Sequence, residues 1–463
     1  MYESFKELMR KSVPDVGEKF WNKPVETMPR EEIKELQWKL LQQQIRHAYN
    51  DTRLYKQKFK EAGITPEDIK SLDDFYAKVP TVLKDELRDI RKETGDPFGG
   101  ALGIPYNKIA GVYSSTGTTG EPTVYALSNE DWEWLGEVGA RIAWSDIGVR
   151  PGDLTLVLGA RFHGGWEIWN AMAVYPKAAN VIWTEVLPFP MNIDRALFLA
   201  RSLRPKFMYL PSLAAWAFME YINAKQEDPK EYFKSVKYLL WAGEVLTAPR
   251  KKMMMDYYGV EDVRSVICTN DNFLAGGECE ECRGLHTSED AFLIEGMDMH
   301  ENERLGPGEI GDMVVTDLVC EAMPHLRWRT EDWTKIYIEK CNCGKTHARF
   351  ELVGRLGETV YVGDKFTYPQ QVENILYKYP EVEELSSTCQ LVKTASDKQD
   401  KLIVRVAWKP EKTKDPEELG ERIREDLEKE LGMPVEVRMI DKKELADMQG
   451  KLPHKIIRLV KEY

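Results

Sequence analysis

The chain has 463 residues, and 64 Lys and Arg against 77 Asp and Glu leave a net charge of −13. Length equivalent to about three average domains, with 43% hydrophobic and 10% aromatic residues, excludes a mainly disordered or collagen-like chain. The acidic balance repels phosphate backbones at long range, so nucleic acid is not an expected partner.

The opening residues, MYESFKELMRKSV, lack the apolar core and cleavage site of a secretory signal. Residues 30–48 carry Ile33, Leu36, Leu40, Ile45 and Ala48 on one helical stripe. Thr65-Pro66 and Ser71 read as caps of further helices. From about residue 105 short β-rich runs begin at Leu154, Asn180, Phe207, Tyr238 and Val263, with helix-compatible stretches at 194–203 and 248–258 between them. That alternation predicts a layered α/β core with parallel strands. The most apolar stretch, 207–219, is broken by Pro211 and Ser212 and is well short of the ~20 residues a membrane-spanning helix needs, so no membrane association is expected. A strand is predicted at 308–317 after a Gly-Pro turn. Beyond about 355 the chain becomes rich in Lys and Glu. Strands at 402–408 and 435–440 and a helix at 415–431, stopped by Gly432, predict a compact α+β unit.

Two local patterns carry chemistry. Tyr113-Ser-Ser-Thr-Gly-Thr-Thr-Gly-Glu-Pro-Thr123 offers hydroxyls and unencumbered backbone N–H groups to an anion, without the Gly-Lys-Ser/Thr of a Walker loop. Six of the seven cysteines lie between 268 and 343. An odd, clustered set fits a reduced, cytoplasmic protein with a local metal site better than a disulfide scaffold. The segments Gly277-Glu-Cys-Glu-Glu-Cys-Arg-Gly-Leu-His286 and Lys340-Cys-Asn-Cys-Gly-Lys-Thr-His347 suit tetrahedral zinc.

The loop SSTGTTGEPT resembles the phosphate loop of the adenylate-forming enzymes, which include acyl-CoA synthetases, peptide-synthetase adenylation domains and luciferases. Within them the chain resembles the phenylacetate–CoA ligase family along nearly its whole length. The resemblance also rests on Trp21-Asn-Lys-Pro-Val-Glu-Thr-Met-Pro-Arg, His47-Ala-Tyr-Asn, Leu54-Tyr-Lys-Gln-Lys-Phe, Asp73-Asp-Phe-Tyr-Ala-Lys-Val-Pro, Trp241-Ala-Gly-Glu-Val, Arg327-Trp-Arg-Thr-Glu-Asp332, Gly354-Arg355 and Gly450-Lys451. It implies a large N-terminal α/β adenylate-forming domain (1–355) and a small, mobile α+β C-terminal lid (356–463).

The resemblance also implies the chemistry. A carboxylate attacks the α-phosphorus of ATP, pyrophosphate leaves, and the acyl group passes to coenzyme A. ATP contacts are implied at Ser114, Ser115, Thr116, Gly117, Thr118, Thr119, Gly120, Gly243, Glu244, Asn270, Asp332 and Arg355, the last two holding ribose. Mg²⁺ falls to Asp271, the adenylating lysine is Lys451 with Lys455 as second candidate, and Glu358 is the hinge carboxylate. The acid pocket falls at His163, Gly164, Gly165, Trp166, Trp169, Trp241 and Ala242, where flat indoles favour a phenylacetate-like aromatic acid and equally can shrink the pocket around a small one. For Trp241 and its neighbours core packing is the commoner use. The structural zinc set is Cys279, His286, Cys341 and Cys343, with Cys282 and His347 as substitutes. An amine, hydroxyl, carrier thiol or cofactor as acceptor, a zinc-dependent binding protein without catalysis, and a homodimer stay open. Two departures stand out: Glu121 replaces the lysine that usually follows the loop, and Ile267-Cys-Thr-Asn-Asp271 replaces a Tyr-Gly-x-Ser/Thr-Glu segment.

Overall fold

Apolar strands in the middle of the chain lie side by side in a parallel sheet. The computed structural model describes residues 5–9, 12–115, 121–159, 180–185, 190–269, 271–298, 303–383, 389–394, 399–448 and 458–462. Asn180–Glu185, Leu154–Gly159, Phe207–Pro211, Tyr238–Ala242 and Asp262–Cys268 run parallel in that order. The sheet then continues antiparallel through Ala275–Glu278, Leu285–Thr287, Arg349–Arg355, Trp328–Tyr337, Ile310–Asp317 and Phe292–Met297, for eleven strands in all.

Because strand side chains alternate between faces, the parallel strands feed two cores. Leu156, Leu158, Met208, Leu210, Leu239, Trp241 and Val263 pack against helices Pro190–Leu203, Ser212–Lys225 and Ala248–Tyr258. Val157, Phe207, Tyr209, Leu240, Ala242 and Val266 face a larger core shared with the N-terminal helices. The predicted stripe is there: Ile33, Leu40, Ile45 and Ala48 are buried in helix Arg30–Asp51. Ser71 caps Leu72–Lys78 by accepting the Asp74 N–H. Thr65-Pro66 opens only a 3-10 turn, Pro66–Asp68. There the Asp68 carboxylate folds back onto the Thr65 N–H and hydroxyl at 2.8 and 2.9 Å, and the chain extends again at Ile69.

A separate core begins at Val360 and gathers Val372, Leu391, Val404, Leu419 and Ile423. It joins a four-stranded sheet, ordered Val435–Ile440, Leu402–Ala407, Cys389–Thr394, Leu459–Glu462, to helices Pro369–Leu376 and Pro416–Leu431. The fold class is therefore the expected one, a large α/β unit followed by a small α+β unit. Gly432, at φ +64°, stops the second helix as predicted. Among the described residues no helix is long and apolar enough to cross a membrane.

Trp241 is 1% exposed and meets Trp216 edge-on at 5.8 Å. Trp241→Ala is expected to lower stability by about 3–5 kcal/mol through the cavity it leaves. The midpoint of chemical denaturation measures this, and a change under about 1 kcal/mol contradicts a packing role.

Candidate functional site

Strands Ile109–Ser114 and Val124–Ser128 form an antiparallel hairpin around the Ser/Thr/Gly loop. Ser115 N–H donates to the Thr123 carbonyl and Thr123 N–H to Ser115 Oγ, both at 2.9 Å, so Ser114 and Ser115 stand at the closed base of the loop. Thr116, Gly117, Thr118, Thr119 and Gly120 lie outside the described residues. Glu121 is neutralised: Arg91, on helix Lys84–Thr94, reaches its carboxylate at 2.6 Å and donates to the Pro122 carbonyl at 2.6 Å. The first residue of the same helix, Lys84, lies 2.5 Å from Asp271 Oδ2, and the Tyr125 hydroxyl donates to Asp271 Oδ1 at 2.7 Å. One short helix thus sets a cation against each of the two departures noted in the sequence.

The Trp241-Ala-Gly-Glu motif ends strand Tyr238–Ala242 in a turn that needs glycine, since Gly243 has φ +92° and a Cβ there would lie 3.1 Å from Ser212 Oγ. Ala242 faces the larger core. Trp241 faces the other way, with its Nε1 donating to the Glu244 carbonyl at 2.8 Å. Its ring packs in the helix-side core against Trp216. The Glu244 carboxylate meets Arg458 at 2.6 and 3.2 Å and Arg250 at 3.3 Å. Burial alone raises its pKa, but the two guanidiniums outweigh burial and hold it below the usual carboxylate range.

Asp332 is presented by a bulge. Val314 pairs with Arg329 and Asp312 with Trp333, so residues 330–332 stand opposite Met313 alone, with Glu331 in the left-handed region at φ +61°. Asp332 then pairs across the sheet with Arg355, Oδ1 to Nε 3.0 Å. Next to it the Trp333 indole donates to Thr359 Oγ1 at 2.8 Å and stacks on Phe366 with ring centroids 5.0 Å apart. Glu358 closes the intervening turn, Leu356–Glu358. The groups lie in one region: Arg355 feels Asp332, Glu358 and Asp271, and Arg458 feels Glu244 and Glu358.

At the far end of the antiparallel strands, Cys279, His286, Cys341 and Cys343 come together with all ligand atoms within 4.8 Å of one another, each residue buried. Cys279 Sγ is 3.9 Å from Cys341 Sγ, and Cys343 Sγ is 3.4 Å from His286 Nε2. These spacings are close to the ~3.8 Å edge of a tetrahedron with ~2.3 Å metal–sulfur bonds. Sheet register brings His286 opposite Gly277 and Arg349. Gly344, at φ +103°, lets the Cys341–Cys343 turn close on itself, with its N–H donating to the Cys341 carbonyl at 2.9 Å. The substitutes are engaged elsewhere: Cys282 is exposed and touches Lys251 Nζ at 3.3 Å. His347 accepts the Glu289 N–H at 3.0 Å and donates to the Val25 carbonyl at 2.9 Å.

His163, Gly164, Gly165, Trp166, Trp169, Asn270, Lys451 and Lys455 lie outside the described residues. The partners that motif reading does not supply are Lys84, Arg91, Arg250, Glu373 and Arg458, embedded in no recognisable pattern and, apart from the Arg250–Glu244 contact, remote in sequence from the groups they meet. Arg458 ends the run His454-Lys-Ile-Ile-Arg458, to whose last residue no motif assigns a role.

Comparison with known proteins agrees with this arrangement. Residues 365–457 match the model of the AMP-binding enzyme C-terminal domain. The phenylacetate-coenzyme A ligase of Thermus thermophilus is 30% identical over 371 residues, covering 77% of this chain and 78% of that protein. The phenylacetate-coenzyme A ligase of Aromatoleum evansii is 27% identical over 432 residues, covering 90% of this chain and 92% of that protein. Among solved structures, a 2-hydroxyisobutyryl-CoA ligase in its postadenylation state superposes with TM-score 0.86 at 23% identity, covering 98% of this chain and 94% of that one.

Behind the bulge, Asp312 lies 2.7 Å from Arg329 Nε. Burial pushes its carboxyl up to about 6 although Arg329 pulls it down. The native state therefore holds a proton that the unfolded chain, titrating near 3.8, releases first. That contribution is greatest below pH ~4 and is lost as pH rises to about 6. Wild-type stability is expected to fall relative to Asp312→Asn across that window, by at most about 1.4 kcal/mol per pH unit. Parallel denaturation curves at about pH 4, 5 and 6 measure it, and a constant difference contradicts the assignment.

Proposed function

The chain belongs to the phenylacetate–coenzyme A ligase family of adenylate-forming enzymes and is an AMP-forming acyl-CoA ligase, and we propose that its acid is a phenylacetate-like aromatic carboxylate. The names of the two curated relatives support the aromatic acid. The solved neighbour, whose name specifies 2-hydroxyisobutyryl-CoA, makes a small branched acid the natural competitor. The geometric observation that carries the nucleotide side is Asp332, pushed out by its bulge and clamped by Arg355, a carboxylate fixed to accept two ribose hydroxyls.

In this reading Ser114 and Ser115, followed by Thr116 to Gly120, hold the β- and γ-phosphates, and Gly243, Glu244 and Asn270 border the adenine. A carboxylate oxygen of the acid attacks the α-phosphorus and pyrophosphate leaves. Charge builds on phosphoryl oxygens, so the chain contributes mainly position and electrostatic stabilisation. Lys451 supplies a mobile point charge between the acid and the α-phosphate. Asp271 would be the ligand for Mg²⁺, which would supply charge neutralisation at the phosphates; Lys84 and the Tyr125 hydroxyl now hold its two oxygens, so the ion would compete with Lys84 for this carboxylate. His163, Gly164, Gly165, Trp166, Trp169 and Ala242 line the acid, with Trp241 buttressing from the core. After residues 356–463 turn about Glu358, the CoA thiol attacks the acyl carbonyl and AMP leaves. Cys279, His286, Cys341 and Cys343 would hold Zn²⁺ in a structural role, since a full set of protein ligands would leave no position for substrate.

The test mixes the protein with ATP and, separately, phenylacetic, benzoic and 2-hydroxyisobutyric acids, following pyrophosphate and then, with CoA, thioester. Both aromatic acids are expected to be used at least ten times more efficiently, by kcat/KM, than the hydroxyisobutyric acid, and the reverse order refutes the aromatic reading. Lys451→Ala is expected to slow pyrophosphate release by about 100-fold or more, while sparing thioester formation from a preformed acyl-adenylate. The same pattern from Lys455→Ala instead moves the role there.

Metal analysis of the purified protein is expected to find about one zinc per chain and to lose it in Cys341→Ser. Protein that is metal-free and equally stable removes the zinc site.

A further inference from the structure

One group of charges, of which the ligase chemistry uses only Glu244, is more deeply buried than most of the site. It joins Glu244, in the turn after strand Tyr238–Ala242, and Arg250, in helix Ala248–Tyr258, to Glu373, in helix Pro369–Leu376, and Arg458, which leads into Leu459–Glu462. Arg458 contacts Glu244 at 2.6 Å and Glu373 at 2.5 Å; Arg250 contacts Glu373 at 2.5 Å and Glu244 at 3.3 Å. Each arginine thus meets both carboxylates and the ring of four is neutral. Side-chain exposure is 0% for Arg250, 1% for Glu373, 4% for Arg458 and 13% for Glu244.

We propose that these four residues are a catch between the large sheet and the C-terminal unit, with Arg458 the positioning residue that brings the segment carrying Lys451 to the nucleotide side. The proposal rests on the ligase reading above and on Lys451 as the adenylating lysine. Two features of the ring suit a catch that opens and closes. Each unit contributes one acid and one base, Glu244 with Arg250 and Glu373 with Arg458, and each of these pairs is itself in contact. Separation breaks the two crossing contacts, Glu244–Arg458 and Arg250–Glu373, yet leaves no bare buried charge on either side, the outcome that makes breaking a buried ion pair expensive. The second feature is the tether. Arg458 is fixed to the small sheet, its carbonyl accepting the Leu391 N–H at 2.8 Å. Lys451 lies seven residues before it in the sequence, so at most about 25 Å of extended chain links the two. Closed, the catch favours adenylation; the thioester step requires it open.

The two half-reactions test this separately in the full-length protein: pyrophosphate release from ATP with acid, and thioester formation from preformed acyl-adenylate with CoA. Arg458→Met is expected to slow the first at least tenfold and leave the second unchanged or faster, with Arg458→Lys between Met and wild type. Equal losses in both halves mean a merely structural role and overturn the catch, as does no change in either. If Arg458→Met does not fold, Glu373→Gln, which keeps side-chain size and leaves the Arg458–Glu244 contact, is judged by the same ratio. Wild-type protein that releases no pyrophosphate with any acid tested overturns the ligase reading itself. That failure is distinct, because it shows before any variant is made.

Discussion

Strand Asp262–Cys268 is hydrogen-bonded in parallel to Tyr238–Ala242 on one side and antiparallel to Ala275–Glu278 on the other, and the rest of the molecule is arranged around that change of direction. A parallel strand must be reached by a crossover, which covers the sheet with helices; an antiparallel one can be reached by a tight turn. The chain passes from the first regime to the second between Cys268 and Ala275. Asp271 lies in that short passage and Cys279 just beyond it. Chemistry on the carboxylate side and on the thiol side is consequently positioned from one strand, and Arg355, at the end of another strand in the same antiparallel block, answers Asp332 without any loop between them.

What the sequence makes legible follows from how each element is buried. Leu154–Gly159, Phe207–Pro211 and Tyr238–Ala242 are covered on both faces, so they read as apolar runs of strand length. Trp328–Tyr337 does not read as a strand. Its bulge breaks the two-residue alternation, and its buried Arg329 is met by Asp312 on the neighbouring strand. Ala275–Glu278 carries two glycines in four residues, a weak strand signal, yet those glycines are there for contact: a Cβ on Gly277 would approach Ile142 to 2.6 Å. The site divides in the same way. Motif order points to Asp332, Arg355 and the Cys/His clusters, whereas Arg91 stands 30 residues from Glu121 and Arg458 214 residues from Glu244, distances that no local pattern spans. The two clusters hold six candidate ligands; the resemblance puts Cys279, His286, Cys341 and Cys343 first, and three-dimensional placement brings those same four together.

Buried charge recurs too often to be incidental. Lys345 sits between Asp146 at 2.6 Å and Glu26 at 3.0 Å, and Arg141 between Glu137 and Asp290. Such groups contribute little net stability over well-packed apolar replacements, but removing one partner is costly. They act as keys that fit in one arrangement, holding the N-terminal residues Trp21 to Glu26 against the sheet through contacts that hydrophobic packing alone does not make unique.

Trp333 adds something of a different kind. Its indole donates to Thr359 and lies face to face with Phe366, at 5.0 Å and 18° between planes, and these two partners stand on the far side of the turn Leu356–Glu358. The turn is therefore held like the spine of a book, with one cover the large sheet and the other the unit that starts at Val360. Any tilt between the covers slides one ring across the other. Because an indole's emission depends on what touches its face, the molecule carries its own optical gauge of that angle.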